Sequence, residues 1–267
     1  MNPWLDACRA SAADIEDVLR RLPTRRERER EPVATVGEGG DETTAIDAAA
    51  EEAVVARLAQ LDESFTLISE ELGEASFGEG GPWRVVLDPI DGSLNAKRDI
   101  PFFSLSLAVA EGPTMSDVVF GYVYDFGSRE EWTATRGGGA QLNGNPLGGV
   151  RPKDEIEILS FEATTTAEAA DKAAAVIGVA HRLRIMGSLA ISLCHLAAGR
   201  VDGVCSLKPA RSVDIAAAQL LVREVGLSID LFEAPPLASA PLDLVGRSRV
   251  VAAGTPKLCR TLANALS

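Results

Sequence analysis

The run Leu87–Asn95, LDPIDGSLN, constrains this chain more than any other stretch. Val85, Val86 and Leu87, with Trp83 just upstream, lead into it as a buried strand would. Pro89 has no N–H to donate and a fixed φ, so the strand is expected to stop there. Asp88 and Asp91 stand three residues apart across that break, close enough for both carboxylates to reach one divalent cation. Gly92 lets the backbone pass near a ligand, and Ser93 adds a hydroxyl beside exposed N–H groups. A helix starting there would aim its positive end at an anion. Two hard oxygen ligands and an anion cradle within six residues suit Mg2+ together with phosphate. Asp-Pro and Asp-Gly are also ordinary turn signals, so the dipeptides alone decide nothing.

The charge balance sharpens that reading. With 39 acidic against 26 basic residues the net charge is −13, which argues against a nucleic-acid surface. The same charge would repel a phosphorylated substrate unless cations intervened. At 267 residues and 46% hydrophobic content the chain can bury a large core. Cys8, Cys194, Cys205 and Cys259 are dispersed, with no C-x-x-C pair and no secretory signal ahead of them, which suits a reduced cytoplasmic protein. No apolar run is long enough for a membrane span. His181 and His195 are too few for a His-rich zinc site.

Helical spacing of Leu5, Cys8, Ala12, Ile15, Val18, Leu19 and Leu22 predicts a first helix ended by Pro23. RRERERE (25–31) reads as a solvated helix end or linker. A glycine-rich loop then leads to a helix capped by Thr43 or Thr44, with Asp47 in its first turn and a stripe of Ala50, Val54, Leu58 and Leu61. FTLISEELGE predicts a short strand ending in Glu70 and Glu71, and GEASFGEGGPW a loop. Leu105, Leu107 and Val109 alternate with Ser104, Ser106 and Ala108 in a further strand, and DVVFGYVYD is another. EEWTATRGGGAQLNGNP reads as strand, glycine turn and short strand, without the context of a nucleotide loop. After the strand EIEILSFEA, a helix is expected over 166–177. A strand, an apolar helix opened by Gly187 and Ser188 and ended at Gly199, and another strand follow, with His195 a core or surface histidine on that helix. The helix 212–226 carries Asp214 at its start, and its Ala216–Ala218 run permits tight packing. Strands near 227–232 and 249–252 and a last helix capped by Thr255 complete the chain. Asp47 and Asp214, taken singly, are no more than helix-dipole or capping acids.

Taken together, these segments resemble the inositol monophosphatase superfamily, the Mg2+-dependent, lithium-sensitive sugar phosphatases. LDPIDGSLN resembles its signature. Asp47 falls at the acid of its T-x-x-D segment, Glu70 at its bridging-ligand position, and SVDIAAA matches its W-D-x-A-A element with Val213 in place of tryptophan. The resemblance covers essentially the whole chain and implies an αβαβα five-layer sandwich of class α/β. The N-terminal half (1–145) would carry the signature, and the C-terminal half (146–267) the substrate-side residues and the last metal aspartate. It further implies two or three Mg2+ ions, with Glu70, Asp88, Asp91 and the Ile90 carbonyl on the first metals and Asp214 on a second. Glu70, Ser93 and Asp47 would position and activate the attacking water, and the N–H groups of Gly92 and Ser93 would hold the phosphate. Glu38, Asp41 and Glu42 are candidates for a third metal, and the resemblance does not choose among them. A homodimer acting on a small sugar phosphate, with no nucleic-acid or membrane partner, is the expected form of a family member.

For substrate, the position seven residues before Asp214 is Leu207, where inositol monophosphatases carry an inositol-reading glutamate. LKPARSVDIAAA resembles instead the archaeal-type branch that hydrolyses both fructose 1,6-bisphosphate and inositol phosphates. Lys208, Arg211, Arg182 and Arg184, beside Gly187 and Ser188 on the sugar side, would then receive a second phosphate, unless they are ordinary surface cations. Two rivals stand. A phosphatase of 3′-phosphoadenosine 5′-phosphate usually continues its signature D-G-T-K-x-F, unlike Ser93-Leu94-Asn95. A non-catalytic metal or sugar-phosphate binding regulator would keep the fold without the chemistry.

Overall fold

The structure is a computed structural model that describes residues 2–21, 45–148, 151–162, 165–233 and 235–267, with the backbone of 35–36 and 42–43. RRERERE, Glu38, Asp41, the side chain of Glu42 and the proposed caps Thr43 and Thr44 lie outside the described residues.

Helix α1 (Pro3–Arg21) and helix α2 (Ala45–Leu58) pack on each other and on one face of an eight-stranded sheet. Its strands are β1 (Phe65–Ser69), β2 (Gly73–Phe77), β3 (Trp83–Asp91), β4 (Ser104–Ala110), β5 (Val118–Asp125), β6 (Glu130–Thr135), β7 (Gly139–Leu142) and β8 (Asn145–Pro146). They lie in the order β8-β7-β6-β5-β4-β3-β1-β2. A five-residue helix α3 (Ser93–Lys97) follows β3. The second sheet has five strands: β9 (Ile156–Glu162), β10 (Ala180–Arg184), β11 (Gly203–Ser206), β12 (Ser228–Leu231) and β13 (Val250–Ala253), in the order β10-β9-β11-β13-β12. Helix α4 (Thr166–Ala173) links β9 to β10. Helices α5 (Leu189–Ala197) and α6 (Ser212–Glu224) lie between the two sheets, and α7 (Pro256–Leu266) covers the outer face of the second. The layers are therefore helix, sheet, helix, sheet, helix. Thr255 accepts from the Leu258 N–H and caps α7 as its sequence indicates.

Two departures from the sequence reading have physical reasons. Strand β3 does not stop at Pro89. Asp88 pairs with Ser106 of β4 and Asp91 with Ser104, so three steps along β3 meet two along β4. The bulge absorbs Pro89 where no ladder donor is needed. Second, Gly73–Phe77 is a strand rather than loop, pairing antiparallel with β1 at the sheet edge. Strand β4 forms as its alternation indicates, and all seven of its residues are buried. Leu105, Leu107 and Val109 join the core under α1 and α2, while Ala108 and Ala110 join the core shared with α5 and α6.

Small residues set how closely α6 lies on the sheet. A Cβ at Gly121 of β5 would come within 2.6 Å of the Ala217 carbonyl oxygen. The Ala216–Ala218 run thus seats the helix backbone directly on the strand, and this fixes where its N-terminal turn, with Asp214, arrives. Burying Leu, Ile and Val on both faces of one sheet gains about 1.5–3 kcal/mol per large side chain, enough to hold charged residues at its rim.

Candidate active site

Strand pairing brings the first two acids together. Strands β1 and β3 run parallel with Ser69 opposite Leu87, so Glu70, just past β1, and Asp88, at the bulge of β3, lie side by side. Their 18-residue separation in sequence equals that register, since Phe65 faces Trp83. Asp214 arrives from the first turn of α6. Carboxylate oxygens of Glu70, Asp88 and Asp214 all lie within 4.8 Å of one another.

Arg211 lies in the same cluster. Its Nη2 donates to Glu70 Oε1 at 2.5 Å and to Asp214 Oδ1 at 3.3 Å, and its side chain is 7% exposed. Asp214 Oδ2 accepts from the Arg211 backbone N–H at 2.6 Å, so Asp214 caps α6 as well as facing the cluster. Arg211 was expected among the substrate-side cations; the structure places it with the acids.

The bulge orients Asp91. Its Oδ2 accepts from the Ser188 Oγ at 2.5 Å and the Ala190 N–H at 2.8 Å, both at the start of α5. Ile90 N–H donates to Asp88 Oδ1 at 3.0 Å, and the Ile90 carbonyl accepts from Ser93 Oγ at 3.0 Å. That carbonyl has a second lone pair for another partner. Gly92 has φ 97°, and a Cβ there would sit 3.1 Å from the Gly187 carbonyl oxygen. Two loops thus pass close together, and glycine is required at the crossing. Asn95 ties them, donating to the carbonyls of Phe102 (2.8 Å) and Met186 (2.7 Å). With only five residues, α3 contributes little macrodipole, so anion binding there falls to local N–H groups.

Asp47 is buried in the first turn of α2. It is not one of the three acids within 4.8 Å. Its neighbour one turn on, Glu51, accepts from the Ser69 hydroxyl and from the Leu72 N–H at 3.0 Å. Because residues four apart share a helix face, Asp47 lies on the face of α2 that carries Glu51.

A cleft beside the acids is lined by Asp91, Glu162, Gly187, Ser206, Lys208, Pro209, Arg211, Asp214 and Arg247. Arg182 and Arg184 do not line it. Arg182 is exposed and pairs with Glu157 at 3.0 Å, and Arg184 is exposed on the same edge strand. Leu207 is likewise turned away, packed in the core under α7 with Phe161 and Val251. Two charged cleft residues were not singled out from the sequence. Glu162 closes strand β9 as Glu70 directly follows β1, and that parallel was its signal. Its carboxylate accepts from Ser192 Oγ (2.5 Å), Ser160 Oγ (2.9 Å) and the Gly187 N–H (2.9 Å). Arg247 comes from a loop far along the chain, and no pattern marks it. A larger hollow between β12 and α7, lined by residues such as Phe232, Pro236 and Arg260, holds none of the site acids.

Electrostatics single out the cluster. Burial pushes the Glu70 carboxyl up to about 8, with Arg211 opposing and Asp214 adding to the rise. Burial pushes Asp91 up to about 7 against the bond from Ser188. Asp88 rises well above the carboxylate range through burial and the charges of Glu70 and Asp91. Several buried carboxylates around one guanidinium are under-neutralised, and hard oxygen donors so placed fit Mg2+ or a similar cation.

The chain was compared with known proteins. The model of the inositol monophosphatase family matches residues 3–267. A protein of Methanothermobacter thermautotrophicus named fructose-1,6-bisphosphatase/inositol-1-monophosphatase is 34% identical over 238 residues, 85% of this chain and 84% of that one. The Nus factor SuhB of Escherichia coli strain K12 is 37% identical over 194 residues, 70% of each chain. The crystal structure of an inositol monophosphatase–fructose 1,6-bisphosphatase superposes with a TM-score of 0.82 at 26% identity, over 98% of this chain and 99% of the other.

Proposed function

The chain belongs to the inositol monophosphatase family, and from that premise we propose that it hydrolyses fructose 1,6-bisphosphate and inositol monophosphate with Mg2+. Metal-dependent hydrolysis of sugar phosphates is the family's activity; the particular substrates and the ion are our reading. The observation that carries it is the meeting of Glu70, Asp88 and Asp214 within 4.8 Å beside a cleft that also holds Lys208 and Arg247.

Phosphate monoesters resist water so strongly that a catalyst must supply on the order of 20 kcal/mol. Divalent cations supply charge neutralisation of the phosphate and a more acidic water. In our assignment Glu70, Asp88, Asp91 and the Ile90 carbonyl hold the first ions and Asp214 helps to hold a second. Asp91 would use Oδ1, since its two hydrogen bonds fall on Oδ2. Glu70, Ser93 and Asp47 would position and activate the attacking water, and the N–H groups of Gly92 and Ser93 would hold the phosphate. Gly187 and Ser188, held by Glu162 and Asp91, form the sugar side. Lys208 and Arg247 are placed to take a second phosphate.

We keep the division into halves near 1–145 and 146–267, shifted to the gap between β8 and β9 so that β8 stays whole. Since α6 of the second half lies on the sheet of the first, neither closes the site alone. A homodimer, a cytoplasmic location and lithium sensitivity belong to the same proposal. No helix among the described residues is long and apolar enough to cross a membrane. The E. coli relative named as a Nus factor keeps a regulatory reading in view. A phosphate-release screen with Mg2+ separates the readings, using fructose 1,6-bisphosphate, inositol 1-phosphate, glycerol 2-phosphate and 3′-phosphoadenosine 5′-phosphate. Turnover of the first two, stopped by EDTA, is expected. Release from none of the four would leave the regulator, and preference for the last would leave the rival phosphatase.

A further inference from the structure

Arg211 stands where a cation is most strongly demanded. It reaches Glu70 and Asp214, two of the three acids whose oxygens lie within 4.8 Å of one another. It is the residue just before α6, and its own N–H is held by Asp214, so its backbone cannot move without that carboxylate. Its side chain, by contrast, is a long flexible stem that also lines the cleft toward Lys208 and Arg247. We propose that Arg211 is a tethered counter-ion that competes with a divalent cation for the Glu70 and Asp214 carboxylates, and swings toward the cleft when the cation enters. The proposal rests on the acid cluster being the metal site.

Two consequences follow from the geometry. A carboxylate oxygen engaged by a guanidinium at 2.5 Å is not fully available to a metal, so breaking that contact is part of the cost of binding. A guanidinium released from two carboxylates finds its next anion in the cleft, where a phosphorylated substrate would lie. Metal and substrate would then assist each other: the metal frees the arginine, and the substrate keeps it away from the acids.

The test is binding of Mn2+, read from the loss of the free-ion paramagnetic resonance signal with no substrate present. Arg211→Gln is expected to bind Mn2+ about 10-fold tighter than wild type or more, the factor for removing one charge-assisted contact. Arg211→Lys, which keeps one charge without the fork, should fall between. Unchanged or weaker binding in both variants overturns the proposal. Should Arg211→Gln fail to fold, the wild-type protein still decides. Phenylglyoxal should modify Arg211 slowly in EDTA and faster with Mn2+, read by mass spectrometry of the peptide. Equal rates, or slower modification with Mn2+, overturn it. The underlying reading fails differently: wild type would take up no Mn2+, or Asp88→Asn would bind it as well as wild type does.

Discussion

Among the described residues, two places bring three metal-capable groups within 4.8 Å, and an arginine attends each. In the first, Glu70, Asp88 and Asp214 surround Arg211. In the second, Asp125, Glu130 and His195 surround Arg200. Ligand count does not tell them apart. Arg200 grips Glu130 with both arms, at 2.5 and 2.6 Å, and lies over the Trp132 ring at 5.1 Å. Asp125 is consumed by its own turn, accepting from the N–H of Gly127 and Ser128 and from the Ser128 hydroxyl. The hydrogen bond from Arg200 holds the Glu130 carboxyl below its usual range, and burial, then Arg200, lowers His195. That site keeps one net negative charge, but both of its acids are already engaged by hydrogen bonds. Around Arg211 the acids outnumber the cation, burial is deep, and the carboxyls rise instead. Unmet charge, and not a tally of ligands, sets the first cluster apart.

The largest test of this contrast is mutational. Asp88→Asn or Asp91→Asn should lower kcat at least ~100-fold with the fold intact, since each removes a charged group from a site built for a hard cation. Glu130→Gln should leave kcat within ~2-fold and cost no more than ~1 kcal/mol, because the Glu130–Arg200 pair is partly exposed. Circular dichroism and steady-state kinetics on the same preparations check both. Near-normal turnover in the signature variants would remove the distinction.

A smaller effect separates cations inside and outside the cleft. Lys208→Ala should lower kcat/KM for fructose 1,6-bisphosphate by about 10- to 100-fold relative to a monophosphate, the scale of one charge-assisted contact. Arg182→Ala, which loses a pair with Glu157 on an exposed strand, should leave that ratio unchanged. If both substrates fall together in Lys208→Ala, the residue is structural.

Charge imbalance also predicts a pH dependence. Glu70 titrates near 8 rather than 4.5 and Asp91 near 7 rather than 3.8, so the folded chain binds more protons than the unfolded one across that window. Stability in EDTA should therefore fall as pH rises through it, and saturating Mg2+ should raise Tm more at pH 8 than at pH 5, by an amount of order several degrees. Differential scanning calorimetry reads both. A metal-induced gain that is independent of pH would contradict the raised carboxyls. Smallest is the response to lithium: ~100 mM Li+ at half-saturating Mg2+ should inhibit measurably, and complete indifference would count against the assignment.

Much of this was legible before the fold was. The acids of the signature, Glu70 and Asp214 mark the site because each ends a strand or opens a helix, and the 70-to-88 spacing is the pairing register itself. The order of helices and strands follows the hydrophobic periods, and Ala216–Ala218 announces the close contact with Gly121. What sequence could not supply depends on partners distant along the chain. Pro89 reads as a stop, yet the bulge against Ser104 and Ser106 carries the strand past it. Gly73–Phe77 shows no strand pattern of its own and is ordered by pairing with β1. Arg211, Arg182 and Arg184 look alike as charges near a motif, and only the packing of α6 and the edge position of β10 separate them. Leu207, chosen by its offset from Asp214, points into the core.

The central claim is that unmet charge at Glu70, Asp88 and Asp214 is a divalent-cation site that drives phosphate-ester hydrolysis. Its most direct test is the time course of phosphate release from fructose 1,6-bisphosphate by wild type and Asp88→Asn, in Mg2+, after EDTA, and after Mg2+ is restored. The account predicts release by wild type that stops with EDTA and resumes with Mg2+, and little release by the variant under any condition. Release that persists in EDTA, or equal turnover by Asp88→Asn, would contradict it.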